Sequence, residues 1–265
     1  MIIFDIETGP LPDDLLFERI GEFQPKPHPG VFDPSLVKHG LTKDESKRKA
    51  KEDELRYKHD AAVAAYEQET REAAIAYANA ARDRAPLDPT TGSIVAIGYL
   101  GVTAGAEPKI RIDGVGDMGS ADPMAAQSPR TERDLLVSFW QMFQKALASN
   151  RTLVGHNILE FDMPFIARRS WILDVGVPLA ATSKNSPLIA DLMKIWLCGA
   201  RWGSVEANLN HIAKMLGVGE KNGNGADFAR LWHGAPEERQ QARAYLVNDL
   251  TMTYHVARRM GVVNV

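Results

Sequence analysis

Three short groups of residues have the types and spacing to do chemistry. Asp5-Ile6-Glu7 places two carboxylates two positions apart at the end of a fully apolar run, Met1 to Phe4. If a strand continues through them, both side chains point to one face, where two negative charges repel unless a cation sits between them. A carboxylate pair ending such a strand needs hydrogen-bond partners or a metal. The second group, His156-Asn157-Ile158-Leu159-Glu160-Phe161-Asp162, follows an apolar run and precedes Pro164, so it opens a helix. Asp162 on its own would do no more than cap that helix; His156 would pass as a strand-end residue and Phe161 as core. The third group is Tyr245 and Asp249, four residues apart and so on one helix face, beside Leu246, Leu250 and Ala257.

The elements that must position these groups follow from hydrophobic spacing. Residues 1 to 5 and Ser93 to Leu100 read as buried strands, and Lys109 to Asp113 alternates as a half-exposed one. Thr131-Glu132-Arg133-Asp134 resembles a helix cap, with Leu135, Leu136, Phe139, Trp140, Phe143 and Leu147 following at helical spacing, so a helix is predicted over about 131–148. A strand at Thr152–His156, a helix from about Phe161, a short strand at Pro187–Asp191, and helices over about 206–216 and 236–260 complete the order. Strands alternating with helices in this way predict one α/β domain.

Between the first two strands lies an insertion, about residues 10–92. Gly9 to Pro29 holds five prolines and is expected to be irregular. Thr42 to Arg84 has neither Pro nor Gly and reads as one helix about 60 Å long, at roughly 1.5 Å per residue, or as a helical hairpin. Residues 43 to 60 carry seven basic and six acidic groups, the balance of a solvated face and not of a phosphate-binding stripe. The segment is read as a structural or dimerising arm, through which a second copy or another protein would dock.

The 265 residues are 45% apolar and 25% charged, enough to bury a large core without disulfides. A single cysteine, Cys198, excludes a disulfide framework and a multi-cysteine zinc site and fits a reducing, cytoplasmic setting. The N-terminus lacks a signal-peptide pattern, and no membrane span is expected. The net charge of −3 offers nucleic acid no global attraction, so any attraction must be local.

Taken together, the three groups resemble, in order and spacing, the DEDD superfamily of 3′–5′ exonucleases. The supporting strings are Phe4-Asp5-Ile6-Glu7-Thr8, Gly155-His156-Asn157-Ile158 with Phe161-Asp162-Met163-Pro164, Asp191-Leu192-Met193, and Leu209 to Gly217. Ala244 stands where the histidine branch of that superfamily would have its histidine, so the chain resembles the tyrosine branch, and most of all the stand-alone relatives of the exonuclease domain of family B DNA polymerases. The resemblance spans residues 1–8 and about 93–260, and leaves the charged insertion outside it. It implies a ribonuclease H-like fold, a central mixed five-stranded sheet flanked by helices. It also implies two divalent ions, Mg²⁺ or Mn²⁺, held by Asp5, Glu7, Asp162 and Asp249, with Tyr245 orienting the attacking water. Such ions would offset four converging carboxylates with the hard-oxygen chemistry they prefer. Thr8, His156, Asn157 and Phe161 are the candidate contacts to the terminal nucleotide, by hydrogen bonding or stacking.

The expected activity is release of nucleoside 5′-monophosphates from the 3′ end of single-stranded nucleic acid, DNA before RNA, with a non-catalytic nucleic-acid-binding or partner-docking module as the alternative. Three other features are set aside. Gly114-Val115-Gly116-Asp117-Met118-Gly119 matches a dinucleotide-binding string but runs into Ser120-Ala121-Asp122-Pro123, where an apolar helix would be required. Cys198 and Asp191 show no catalytic partner. Gly217 to Gly225, with four glycines and two asparagines, reads as a turn before the last motif.

Overall fold

The structure, a computed structural model, describes residues 1–118, 128–183, 186–201 and 203–263. Five strands form one mixed sheet: β1 (Ile2–Pro10), β2 (Gly92–Gly101), β3 (Lys109–Gly114), β4 (Leu153–Gly155) and β5 (Ile189–Asp191), in the order β3-β2-β1-β4-β5. β2 runs antiparallel to both β1 and β3, whereas β4 runs parallel to β1 and β5 parallel to β4. This is the mixed five-stranded sheet flanked by helices that the resemblance implies.

Each face of the sheet carries its own core. Phe4 and Ile6 of β1 pack with Phe139, Trp140 and Phe143 of α3 (Glu132–Ala148) and with Phe165 and Ile166 of α4 (Asp162–Ile172). Ile3 faces the other way, into a core with Ile212 of α6 (Leu209–Met215), Trp232 of α7 (Phe228–His233) and Leu246 and Leu250 of α8 (Pro236–Arg259). The period-two alternation of β1 thus divides its side chains between two cores. α3 begins with the cap that its sequence announces: Thr131 Oγ1 accepts from the Asp134 amide while Asp134 Oδ2 accepts from the Thr131 amide at 2.8 Å.

A buried ion pair ties α3 to α4. Arg169, 2% exposed, donates through Nε and Nη2 to the two Glu132 oxygens at 2.8 and 2.7 Å, and through Nη1 to the Pro89 carbonyl at 3.0 Å. Glu132 Oε1 also accepts from the Ile94 amide at 2.8 Å, so one pair connects both helices to the start of β2.

Two expectations need correction. The first strand does not end at Asp5; it continues to Pro10, because β2 offers a partner along the whole length, with a bulge between Glu7 and Thr8. The proline-rich stretch also contains a helix, α1 (Asp13–Ile20), in the proline-free interval after Pro12, where Asp13 and Asp14 suit the first turn and Leu16 is buried. Two further short helices lay outside the expectation, α5 (Leu192–Leu197) and α7. Gly114 to Met118 ends β3 and turns, and the rest of the dinucleotide-like string, from Gly119, lies outside the described residues. Among the described residues no helix is long and apolar enough to cross a membrane.

The chain divides into two compact units, residues 1–19 with 84–265, and residues 20–83. The second is built on α2 (Glu45–Arg84), one continuous helix of 40 residues with no buried residue, in place of a hairpin. Residues 21 to 38 run back along it: the Tyr77 hydroxyl donates to the Gly21 carbonyl (3.0 Å), Tyr66 to that of Lys26 (2.7 Å), the Phe32 ring meets His59, and Lys51 reaches the Lys38 carbonyl. From Tyr77 to Tyr66 the helix climbs about 16 Å, the span that the five residues from Gly21 to Lys26 cover when extended.

Candidate active site

Asp5 and Glu7 stand on the face of β1 that Ile3 shares, toward α8, because the strand runs straight through them before its bulge. Asp162 opens α4, and its Oδ1 accepts from the Ile6 amide at 3.1 Å, which ties it to β1 between the other two acids. α8 contributes Tyr245 and Asp249 from the same buried stripe as Leu246 and Leu250. One oxygen from each of Asp5, Glu7 and Asp249 lies within 4.8 Å of the others. Asp5, Glu7, Asp162, Tyr245 and Asp249 all line one cleft of about 630 Å³, with His156, Asn157 and Phe161 on its wall. Thr8 is not on that lining: its hydroxyl donates to the Pro86 carbonyl at 2.7 Å, on the far side of the bulge.

Electrostatically the cluster is under load. Burial, and next the Asp249 carboxylate, push Asp5 up to about 7, with Lys221 and the Ile6 amide pulling it back. Burial and then Asp5 hold both Glu7 and Asp162 well above the usual carboxylate range. Asp249 Oδ1 is buried without a hydrogen-bond partner among the described residues. An orphaned carboxylate oxygen among like charges has the chemistry of a hard-cation site, and the residues present fit a divalent ion.

One cation enters the cleft from an unexpected place. Lys221, in the glycine-rich turn, donates from Nζ to Asp249 Oδ2 at 2.7 Å and to the Tyr245 hydroxyl at 2.9 Å. Burial opposes its charge, but the Asp249 carboxylate and these hydrogen bonds outweigh burial and hold the ammonium above the ordinary lysine value. The turn comes close because it is glycine: a Cβ on Gly223 would stand 2.8 Å from the Tyr245 ring. Burial, then Asp249, raise the Tyr245 hydroxyl above its usual value, so it stays protonated at neutral pH and serves as a hydrogen-bond donor. The Lys221→Met variant should lower metal-free stability by about 1–3 kcal/mol, since the buried Asp249 loses a counter-ion that is itself partly exposed. Urea denaturation in EDTA checks this, and saturating Mn²⁺ should shrink the difference.

Asp191 has a role that its sequence does not announce. Its carboxylate accepts from the amides of Asn157 and Leu159, both at 3.0 Å, and from Met193 at 3.0 Å, which fixes the turn that carries His156 and Asn157 and places Asn157 at φ +63°. Burial lowers His156 to about 4, so its imidazole is neutral and a hydrogen-bonding group at pH 7.

Gly98, the β2 partner of Asp5, sets the height of α8 over the sheet. A Cβ there would lie 2.7 Å from Leu250 Cδ1 and 3.0 Å from Leu246 Cγ. Gly98→Ala should therefore cost about 1–3 kcal/mol by overpacking. The same substitution moves Asp249 relative to Asp5, and we expect turnover to fall about 10- to 100-fold with the fold retained, read by melting and rate on one preparation.

This frame of strands and helices around clustered acids is that of a known superfamily: residues 91–257 match the RNase_H superfamily model RNase_H_2, and the chain belongs to the RNase_H superfamily. Membership supports a nuclease, and RNase H-like nucleases use divalent metal ions, for which Asp5, Glu7 and Asp249 form a suitable cluster. The match begins after β1, so the acids of that strand join the site through geometry. No curated protein matches the sequence. Among solved structures the chain is similar to the family B DNA polymerase from the hyperthermophilic archaeon Pyrobaculum calidifontis, with 18% identity and a TM-score of 0.48 over 67% of this chain and 23% of that one. The chain thus spans less than a quarter of the polymerase.

Proposed function

We propose that the protein is a metal-dependent 3′–5′ exonuclease of the tyrosine-bearing DEDD type, which releases nucleoside 5′-monophosphates from the 3′ end of single-stranded DNA. The observation that carries this reading is the convergence of the Asp5, Glu7 and Asp249 oxygens within 4.8 Å, with Tyr245 beside them in the same cleft. Asp5, Glu7, Asp249 and Asp162 would hold divalent ions, which when bound supply an activated water and charge stabilisation for the leaving oxygen. Tyr245 accepts from Lys221, and its own proton is then free to orient a water or a phosphate oxygen. Lys221 places a positive charge next to Asp249, where a phosphate oxygen can approach. Neutral His156, Asn157 and the half-buried Phe161 ring offer polar and stacking contacts to a terminal base or sugar.

The test uses 5′-labelled DNA and RNA of matched sequence, with Mg²⁺, with Mn²⁺ and in EDTA. A ladder shortening from the 3′ end, faster on DNA, lost in EDTA and much reduced in Tyr245→Phe, is the expected result. Internal cleavage, activity that persists in EDTA, or an inert protein that still binds the strand would each replace the proposal.

A further inference from the structure

On the face of the sheet opposite the carboxylates, at the end where β1 begins, lies a cleft of about 510 Å³ whose charged lining is entirely basic among the described residues. Arg111 of β3, Arg130, Lys145 of α3 and Arg151 before β4 converge there, with the hydroxyls of Ser138 and Ser149 on its wall. Arg111 and Arg130 are pre-set by the buried Asp113, which they flank at 2.7 and 3.0 Å, so one acid holds two guanidinium groups in place. Lys145 and Arg151 are exposed.

Asp113 offsets one of the four positive charges, so the cleft keeps a local excess of positive charge in a protein of net charge −3, a field that draws anions. Guanidinium forks beside hydroxyls match phosphate oxygens in shape as well as in charge. The metal-free carboxylate cleft, by contrast, offers a strand one cationic side chain among the described residues, Lys221, against Asp5, Glu7, Asp162, Glu206 and Asp249. Without divalent ions in that cleft, a polyanion must find its attraction elsewhere. From Ile2, on the wall of the basic cleft, to Glu7 is about 16 Å along β1 at roughly 3.3 Å per residue.

We infer that this basic cleft is a second nucleic-acid site, which grips the phosphodiester backbone of single-stranded substrate away from the end being cleaved. The choice of polyanion rests on the nuclease reading. The experiment separates the two by measuring binding in EDTA, where the carboxylates repel phosphate and no hydrolysis occurs, and hydrolysis on a strand too short to reach around the sheet.

Fluorescence anisotropy of a labelled DNA strand of about 30 nucleotides, well beyond typical single-strand site sizes of roughly 4–16, is recorded across a salt series in EDTA. The proteins are the wild type, Lys145→Glu/Arg151→Glu, the milder Lys145→Ala/Arg151→Ala in case charge reversal disturbs the fold, and a charge-matched control, Lys49→Glu/Arg71→Glu. We expect about tenfold weaker binding for the reversal variant and a salt slope shallower by about 0.7 per lost contact, with the control unchanged. Hydrolysis of a strand of about 4 nucleotides with Mn²⁺ should be the same in all four proteins, and its absence in all would remove the nuclease reading without touching the binding result. Unchanged long-strand binding, an equal loss in the control, or displacement of the strand by millimolar inorganic phosphate, the mark of a small-anion site, would overturn the inference.

Discussion

Asp5→Asn should abolish most of the hydrolysis while making the metal-free protein more stable. The two effects have opposite signs because the same charge does two jobs. Asp5 is one of three acids whose oxygens lie within 4.8 Å of one another, and if, as proposed, they hold a divalent ion, losing one of these oxyanions would remove several kcal/mol of transition-state stabilisation. About 4 kcal/mol corresponds to roughly a 10³-fold drop in rate. In the absence of metal, however, this carboxylate is pushed up to about 7, by burial and then by Asp249, against an unfolded value near 4. Between those values the folded protein binds more protons than the unfolded chain, so metal-free stability falls as pH rises from about 4 to about 7. Asparagine removes that contribution. Denaturant midpoints in EDTA at pH 5 and pH 8, alongside single-turnover rates with Mn²⁺, read both effects. A variant that loses activity and stability together would show Asp5 to be structural.

Arg169→Met should be severely damaging although it lies outside the cleft, at about 3–5 kcal/mol, or roughly 10 °C in melting temperature. The loss arises from what remains behind. Among the described residues Glu132, whose side chain is 13% exposed, keeps only the Ile94 amide, and the Pro89 carbonyl loses its Arg169 donor. An uncompensated buried carboxylate is worse than none, so Glu132→Leu/Arg169→Met should be less destabilised than the sum of its single changes. It should not return to wild type, since the Ile94 amide and the Pro89 carbonyl stay unpaired at about 1–3 kcal/mol each. Urea unfolding of all four proteins gives the coupling energy directly, and additive losses would show that Arg169 and Glu132 act separately.

Much of this architecture is legible from local chemistry. The Thr131 and Asp134 cap, the apolar stripe of α3 and the four-residue spacing of Tyr245 and Asp249 depend on residues within a turn or two, so spacing reveals them. The parity of Asp5 and Glu7 is equally local. What spacing hides is what the fold brings together from afar. Lys221 reaches Tyr245 and Asp249 from 24 and 28 residues away, out of a turn whose composition announces only flexibility. A lysine facing acids from such a turn was the one available signal. Asp191 holds amides 32 and 34 residues distant, and nothing in its own neighbourhood distinguishes it from a helix cap. The length of β1 was hidden for a related reason: Gly9 and Pro10 have poor strand propensity, and pairing with β2 makes them strand.

The unit built on α2 has a consequence of another kind. Its contacts recur on one side of the helix at residues 77, 66, 59 and 51, each meeting the returning segment a few residues farther on. Every rung touches only its neighbours, so the arm is a ladder in one dimension, with no core to be completed. Whole rungs can be gained or lost, provided that the helical turns and the extended residues opposite change in step. Its reach is therefore free to drift in evolution while the sheet and its acids stay as they are.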